Sequence, residues 1–200
     1  MTVTDWPVEL RGVTETVVTT RGPNDAWNVA ALGVHAPTTT APATARTWGK
    51  TRTRRNFAAR GGGYIQFTRD PVLFVDAALG VREQSNPTLD SADAWVEITV
   101  RRRATGTDEG TEWVEWGLSP VDASVRRETV PTFNRGYGAV VEATVAASRL
   151  DVDAFETETL RERIDYFHSV AQRCGGPEER QAFERLRSYT AHEEADGDDA

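Results

Sequence analysis

Apolar residues along this 200-residue chain change their spacing once, and the change divides the chain in two. Up to about residue 124 they alternate with polar residues, the two-residue period of strands with one buried face. From about Asn134 they recur every three or four residues, the period of helices. A chain patterned this way must bury a sheet first and a helical segment second, which predicts an α+β protein.

The β-rich part reads as six or so strands with short connections. Val8 to Thr20 is rich in Val and Thr and alternates; Arg21-Gly22-Pro23-Asn24-Asp25 is a turn cluster, and Ala26 to His35 returns. Ala36 to Pro42 is a loop and Ala43 to Lys50 a third strand. Thr53 to Arg60 reads as a short helix stopped by Gly61-Gly62-Gly63. Tyr64 to Thr68 is a strand, and Asp70-Pro71 caps and opens a helical turn through Leu79. Arg82 to Asp93 reads as loop, with a helical turn around Ala92. Ala94 to Ala104, the polar turn Thr105 to Gly110 and Thr111 to Asp122 form a second hairpin. Short connections between consecutive strands predict a closed antiparallel barrel rather than a parallel sheet. Helices are expected over Gly138 to Leu150, Phe155 to Arg173 and Pro177 to about Ala191. The expected domains are 1–124, a barrel; 125–191, a helical subdomain; and 192–200, an acidic disordered tail.

A net charge of −8 disfavours general affinity for nucleic acid, whose phosphates need a basic face. Lys50 is the only lysine among 23 basic residues. An acidic, lysine-poor chain rich in Thr, Ala, Val and Asp fits a salt-adapted archaeal cytoplasm, where salt screens self-repulsion; a GC-rich genome is the alternative source of the same bias. Cys174 is the sole cysteine, so no intrachain disulfide forms and an intracellular setting is expected. The start carries Asp5 and Glu9 without an apolar run, and no stretch is long and apolar enough to span a membrane. The expected location is the cytoplasm. His35, His168 and His192 lack metal-ligand spacing, and there is no catalytic triad, P-loop or Rossmann glycine pattern.

Two stretches carry the chemistry. In the second strand Asn28 is polar within an apolar run, and Ala30, Ala31 and Gly33 remove bulk, so that a flat ring can approach backbone N–H and C=O groups. Close packing inside a barrel is the structural alternative. In Lys50 to Asn56, Thr51 and Thr53 supply hydroxyls, Arg52 a bidentate fork, and Asn56 an amide one turn after Thr53, at a helix start whose N–H groups attract anions. The alternative is a solvated basic turn. An apolar wall followed by an anion clamp suits a phosphorylated planar cofactor. Trp113 and Trp116 point to opposite faces of one strand, one for the core and the other for a dimer face or a ring. His35 reads as a strand-end residue, Cys174 as a helix-end residue, and Arg101-Arg102-Arg103 as a solvated edge.

The order of these motifs resembles the FMN-binding split-barrel superfamily of flavin reductases and pyridoxamine-phosphate-oxidase-like proteins. It looks most like an archaeal branch known as domain-of-unknown-function family 447. The resemblance runs through Glu15, Thr19 and Thr20; Asn28, Ala30, Leu32, Gly33 and Val34; Thr53, Asn56 and Phe57; Thr68, Asp70, Pro71 and Phe74. It continues in Phe133-Asn134-Arg135, Glu142, Ser148-Arg149 and Gly175 to Glu179, and so covers about residues 10 to 190. Two positions depart from the branch: Ala31 stands where a proline is usual, and Gln66 where an asparagine is.

The resemblance implies FMN as cofactor, with Thr53 and Asn56 at its phosphate and Thr51 and Arg52 beside them. It places Asn28, Ala30 and Gly33 at the ring, joined by Thr20 and Asp70. It also implies a homodimer with the cofactor at the seam, and a flavin-dependent oxidoreductase resembling flavin reductases. A non-catalytic FMN carrier or sensor, and a split barrel holding another phosphorylated ligand, are the competing expectations.

Overall fold

The computed structural model describes residues 5–108, 110–152 and 154–197. Its elements are β1 (Val13–Arg21), β2 (Trp27–His35), β3 (Thr44–Trp48), α1 (Arg52–Arg60), β4 (Gly62–Phe67), α2 (Pro71–Leu79), β5 (Arg82–Gln84), β6 (Ala94–Asp108), β7 (Thr111–Val125), α3 (Arg135–Ala147), α4 (Thr157–Cys174) and α5 (Pro177–Gly197). The chain forms two compact units: one holds the chain up to Arg69 together with Arg82–Thr129, the other Asp70–Val81 and the chain from Val130.

The first unit is an antiparallel barrel, the split-barrel fold expected from the sequence. Six strands pair in the order β1-β4-β6-β7-β3-β2, and β2 closes the ring by pairing with β1 along its full length. Alternation decides which side chains turn inward. Val18, Leu32, Val34, Ala45, Ile65, Val96, Ile98, Val114, Trp116 and Leu118 fill the interior, and Phe57 of α1 joins them. Phe57 meets the edge of Trp116 at 5.5 Å, and the Trp116 indole donates to Thr47 Oγ1 at 2.9 Å. Trp116 is therefore the core tryptophan of its pair. Trp113 lies outside, beneath the Arg46 guanidinium, 4.4 Å from its ring centroid.

Three departures from the sequence reading have local causes. Gly61 ends α1 in the left-handed conformation, but Gly62 and Gly63 belong to β4, because a Cβ there would collide with the carbonyls of Ile98 and Thr19. The second hairpin is longer than expected, its two strands running 15 residues each to a turn at Gly110. Arg82–Gln84, expected as loop, forms β5 and pairs with Trp27–Val29.

In the second unit, α2 sends Val75 into the core of the C-terminal helices, with Val72 and Leu79 packed against it. Val141 and Val145 are only partly buried and do not make up the buried face of α3. That face is Ala139, Val140, Ala143, Thr144, Ala146 and Ala147, small residues that let α4 approach closely. Arg185 and the Tyr189 hydroxyl both donate to Asp76 Oδ1, at 2.6 and 3.0 Å, tying α5 to α2. The acidic tail expected from 192 overlaps the end of α5, and residues 198–200 lie outside the described residues.

Candidate functional site

The candidate site lies where α1 runs along one end of the barrel. Thr51 is the N-cap, its hydroxyl accepting from the Arg54 amide at 3.2 Å. Arg52 and Thr53 are the first two helical residues. Among the described residues their amides have no acceptor, as the first turn of a helix dictates. The first turn holds no acidic residue, so the partial positive charge at this end is not cancelled within the helix.

Register then builds a polar row beneath the helix. Thr20 of β1 faces Asn28 of β2, and Asn28 faces Glu83 of β5. Side chains paired in this way stand together on one face of a sheet. The helix is anchored to both ends of the row. Asn56 donates to Thr20 Oγ1 at 3.0 Å and to the Thr20 carbonyl at 3.4 Å, and Arg52 Nη1 donates to Glu83 Oε1 at 2.8 Å. Thr53 shares the buried helix face with Asn56 and lies between the two anchors, as Asn28 does in the row.

Asn28 and Thr53 are each only 5% exposed. Among the described residues neither side chain has a hydrogen-bond partner, although no buried side-chain polar atom is sealed from solvent without one. Both groups therefore open onto accessible space while lying almost wholly within the fold. Polar groups placed this way are expected to meet a ligand or water.

A second feature adjoins the row. β2 shares one edge between two partners: β5 takes Trp27–Val29, and β3 takes Val34 and His35. Among the described residues no strand pairs with residues 30–33 on that edge, while β1 covers the other edge throughout. The stretch begins two residues from Asn28 and consists of Ala30, Ala31, Leu32 and Gly33. Backbone groups in such a gap are free to read the edge of a flat ligand.

The structure thus ties Arg52 and Asn56 to the row that holds Thr20 and Asn28, with Thr51 and Thr53 in the same helix start and Ala30 two residues further along the face of Asn28. Gly33 sits in the gap but on the opposite face, where a Cβ would press on Val13 Cγ1 at 3.0 Å. Asp70 lies in the second unit as the N-cap of α2, accepting from the Leu73 amide at 3.0 Å. The fork of Arg52 is not wholly free for an anion, because Nη1 is spent on Glu83. Sequence reasoning missed Glu83 and Asn24, whose amide donates to the other Glu83 oxygen at 3.0 Å. A three-residue strand in a charged stretch gives no periodic signal.

Gln66 is fully buried on the outer barrel face. It donates to Thr19 Oγ1 at 3.2 Å and the Pro87 carbonyl at 3.3 Å, and accepts from the Leu89 amide at 2.5 Å. It secures the loop that follows β5. Beyond it, Asp93 accepts from Arg69 and Arg127, each at 2.8 Å. Burial pushes the Asp93 carboxyl up, but the hydrogen bonds and charges of the two arginines outweigh burial and hold it below the usual carboxylate range.

One solved structure shares this architecture, and two others match it more loosely. The chain superposes on the FMN-bound protein MM1853 from Methanosarcina mazei with a TM-score of 0.76 at 24% identity, over 90% of this chain and 96% of that one. Flavoredoxin from Methanosarcina acetivorans matches at a TM-score of 0.44 and 11% identity, over 66% of this chain and 78% of that one. The styrene monooxygenase flavin reductase from Pseudomonas putida S12 matches at 0.41 and 12%, over 60% and 93%. Residues 14–127 match the N-terminal domain model of the protein family of unknown function DUF447, and residues 134–188 match its second model. With more than half its length matched in order, the chain belongs to the DUF447 family.

Proposed function

We propose that this protein binds FMN, the phosphate at the start of α1 and the ring along the gap in β2, and that it serves as a flavin-dependent oxidoreductase. The observation that carries the reading is the pair of unpartnered, nearly buried polar side chains, Thr53 and Asn28. They adjoin the first α1 amides, which have no acceptor among the described residues, and a stretch of β2 backbone without a pairing strand. The family relative bound to FMN supports the choice of ligand.

In this reading the Arg52 and Thr53 amides, the Thr53 hydroxyl and the Arg52 guanidinium take the phosphate, and Thr51 fixes the helix start. Asn56 is held by Thr20 and orients the turn that carries Thr53. Asn28 and the backbone at Ala30 to Gly33 meet the ring. Asp70, the N-cap of α2 in the second unit, is given no contact with FMN in this reading. When bound, FMN would supply hydride or single-electron transfer, and the protein's own groups need only orient and enclose it. That division of labour agrees with a site composed of amides and hydroxyls. A homodimer whose second copy completes the ring site, and a cytoplasmic setting, belong to the same proposal.

Titration with FMN and with riboflavin tests the reading. FMN should bind with a perturbed flavin absorption band and clearly tighter than riboflavin. Equal affinity for the two would remove the phosphate from the account. Anaerobic bleaching by NADH or NADPH, followed by turnover on an acceptor, would distinguish an oxidoreductase from a carrier. Light scattering at twice the 22.1 kDa chain mass would support the dimer.

A further inference from the structure

The FMN reading leaves an acid in an awkward place. Glu83 stands beside Asn28 in the row and hydrogen-bonds Arg52, the first residue of the helix whose N-terminus would receive the phosphate. A carboxylate there opposes any anion that approaches the same amides. It is not a stray surface group. Oε1 accepts from Arg52 and Oε2 from Asn24 in the β1–β2 turn, so both oxygens are engaged, and its side chain is 33% exposed. Arg52 for its part spends one N–H on Glu83 and retains the rest of its five donors.

We infer that Glu83 is the resident counter-anion of the phosphate cradle. It neutralises and orients Arg52 before a ligand arrives, and it lowers affinity for the phosphate that must share Arg52 with it. The inference rests on the proposed phosphate site and names the residue that sets its strength. Holding Arg52 against the start of α1 keeps the guanidinium from wandering into solvent, where an exposed arginine otherwise spreads over many rotamers. The same contact places a like charge near the ligand, so the site binds more weakly than its donors alone would allow.

Two substitutions and two ligands test this. Glu83→Gln keeps a hydrogen-bonding group of the same shape and removes the charge. It should raise the preference for FMN over riboflavin about fivefold at low ionic strength, the effect expected from one screened like charge at contact range. The gain should shrink as salt rises. Part of the gain should persist between Arg52→Met and Arg52→Met/Glu83→Gln, because repulsion of the phosphate by the carboxylate does not need the guanidinium. An unchanged or reduced FMN preference in Glu83→Gln overturns the inference, as does a gain of equal size at low and high salt, which charge removal would not produce. If the unsubstituted protein binds FMN no better than riboflavin, the phosphate reading itself fails and this inference falls with it. A clear FMN preference without the Glu83→Gln gain defeats the inference alone.

Discussion

Helices α1 and α2 are both nine residues long, and both begin with a side-chain cap on the third amide, yet their N-termini differ in the charge of the cap and in the amides left open. At α1 the cap is the neutral Thr51, the next two residues keep their amides, and three arginines follow within the first turns. At α2 the cap is the anionic Asp70, Pro71 has no amide to offer, and Asp70 serves the Leu73 amide through its side chain and the Phe74 amide through its carbonyl. Under the proposed reading the first end receives an anion, whereas the second already carries its own carboxylate. A cap residue in a motif is therefore poor evidence of a ligand until the charge of the cap and the fate of the neighbouring amides are known.

Four variants would break or sharpen this contrast. The largest effect is expected from Phe57→Ala, since Phe57 fixes α1 to the barrel core at 1% exposure. Chemical denaturation should show a loss of about 3–5 kcal/mol. Next comes Thr53→Ala/Asn56→Ala, which removes one polar group from the slot and the anchor to Thr20. FMN affinity should fall at least tenfold, on the basis of about 1.5–3 kcal/mol for each hydrogen bond to a charged group. Circular dichroism should still report a folded chain. Unchanged FMN affinity in that variant would end the equation of α1 with the phosphate site.

Asp70→Ala should behave differently. Loss of the cap costs about 1 kcal/mol of stability and lowers Tm by a few degrees, while the preference for FMN over riboflavin stays as it was. A larger loss of FMN preference than of stability would erase the difference between the two helix starts. The smallest effect concerns Asp93, which fixes Arg69, the residue before that cap. Its carboxyl is held below the usual range in the folded chain, so its contribution is present above the ordinary carboxylate pKa and is lost as pH falls through the lowered value. Asp93→Asn should flatten the acid limb of a Tm–pH profile and leave the neutral limb nearly parallel.

Much of this was legible in the sequence where a single period governs a segment. The alternation in β1, β2, β6 and β7 was enough to give strands, hairpins and closure, and Gly61 together with Asp70-Pro71 marked helix boundaries by their backbone preferences. Thr53 and Asn56 were legible as two polar groups nearly one helical turn apart, while their burial came only with the fold. What escaped depended on contacts distant in sequence. β5 is too short for a period and exists because β2 offers it an edge. The buried face of α3 hid in alanines, which carry little hydropathy signal but allow close helix approach. Gln66, 0% exposed, is explained by Thr19 Oγ1 and by the Pro87 and Leu89 backbone groups that it satisfies. Gly33 was grouped with Asn28 and Ala30 by composition, while strand parity turns it to the other face.

The most direct test of the difference between the two helix starts is a crystal structure of the protein loaded with FMN. The account predicts the phosphate within hydrogen-bond distance of the Arg52 and Thr53 amides and the Thr53 hydroxyl, with the ring edge on the backbone of residues 30–33. A phosphate bound elsewhere, with water filling the α1 cradle, would contradict it.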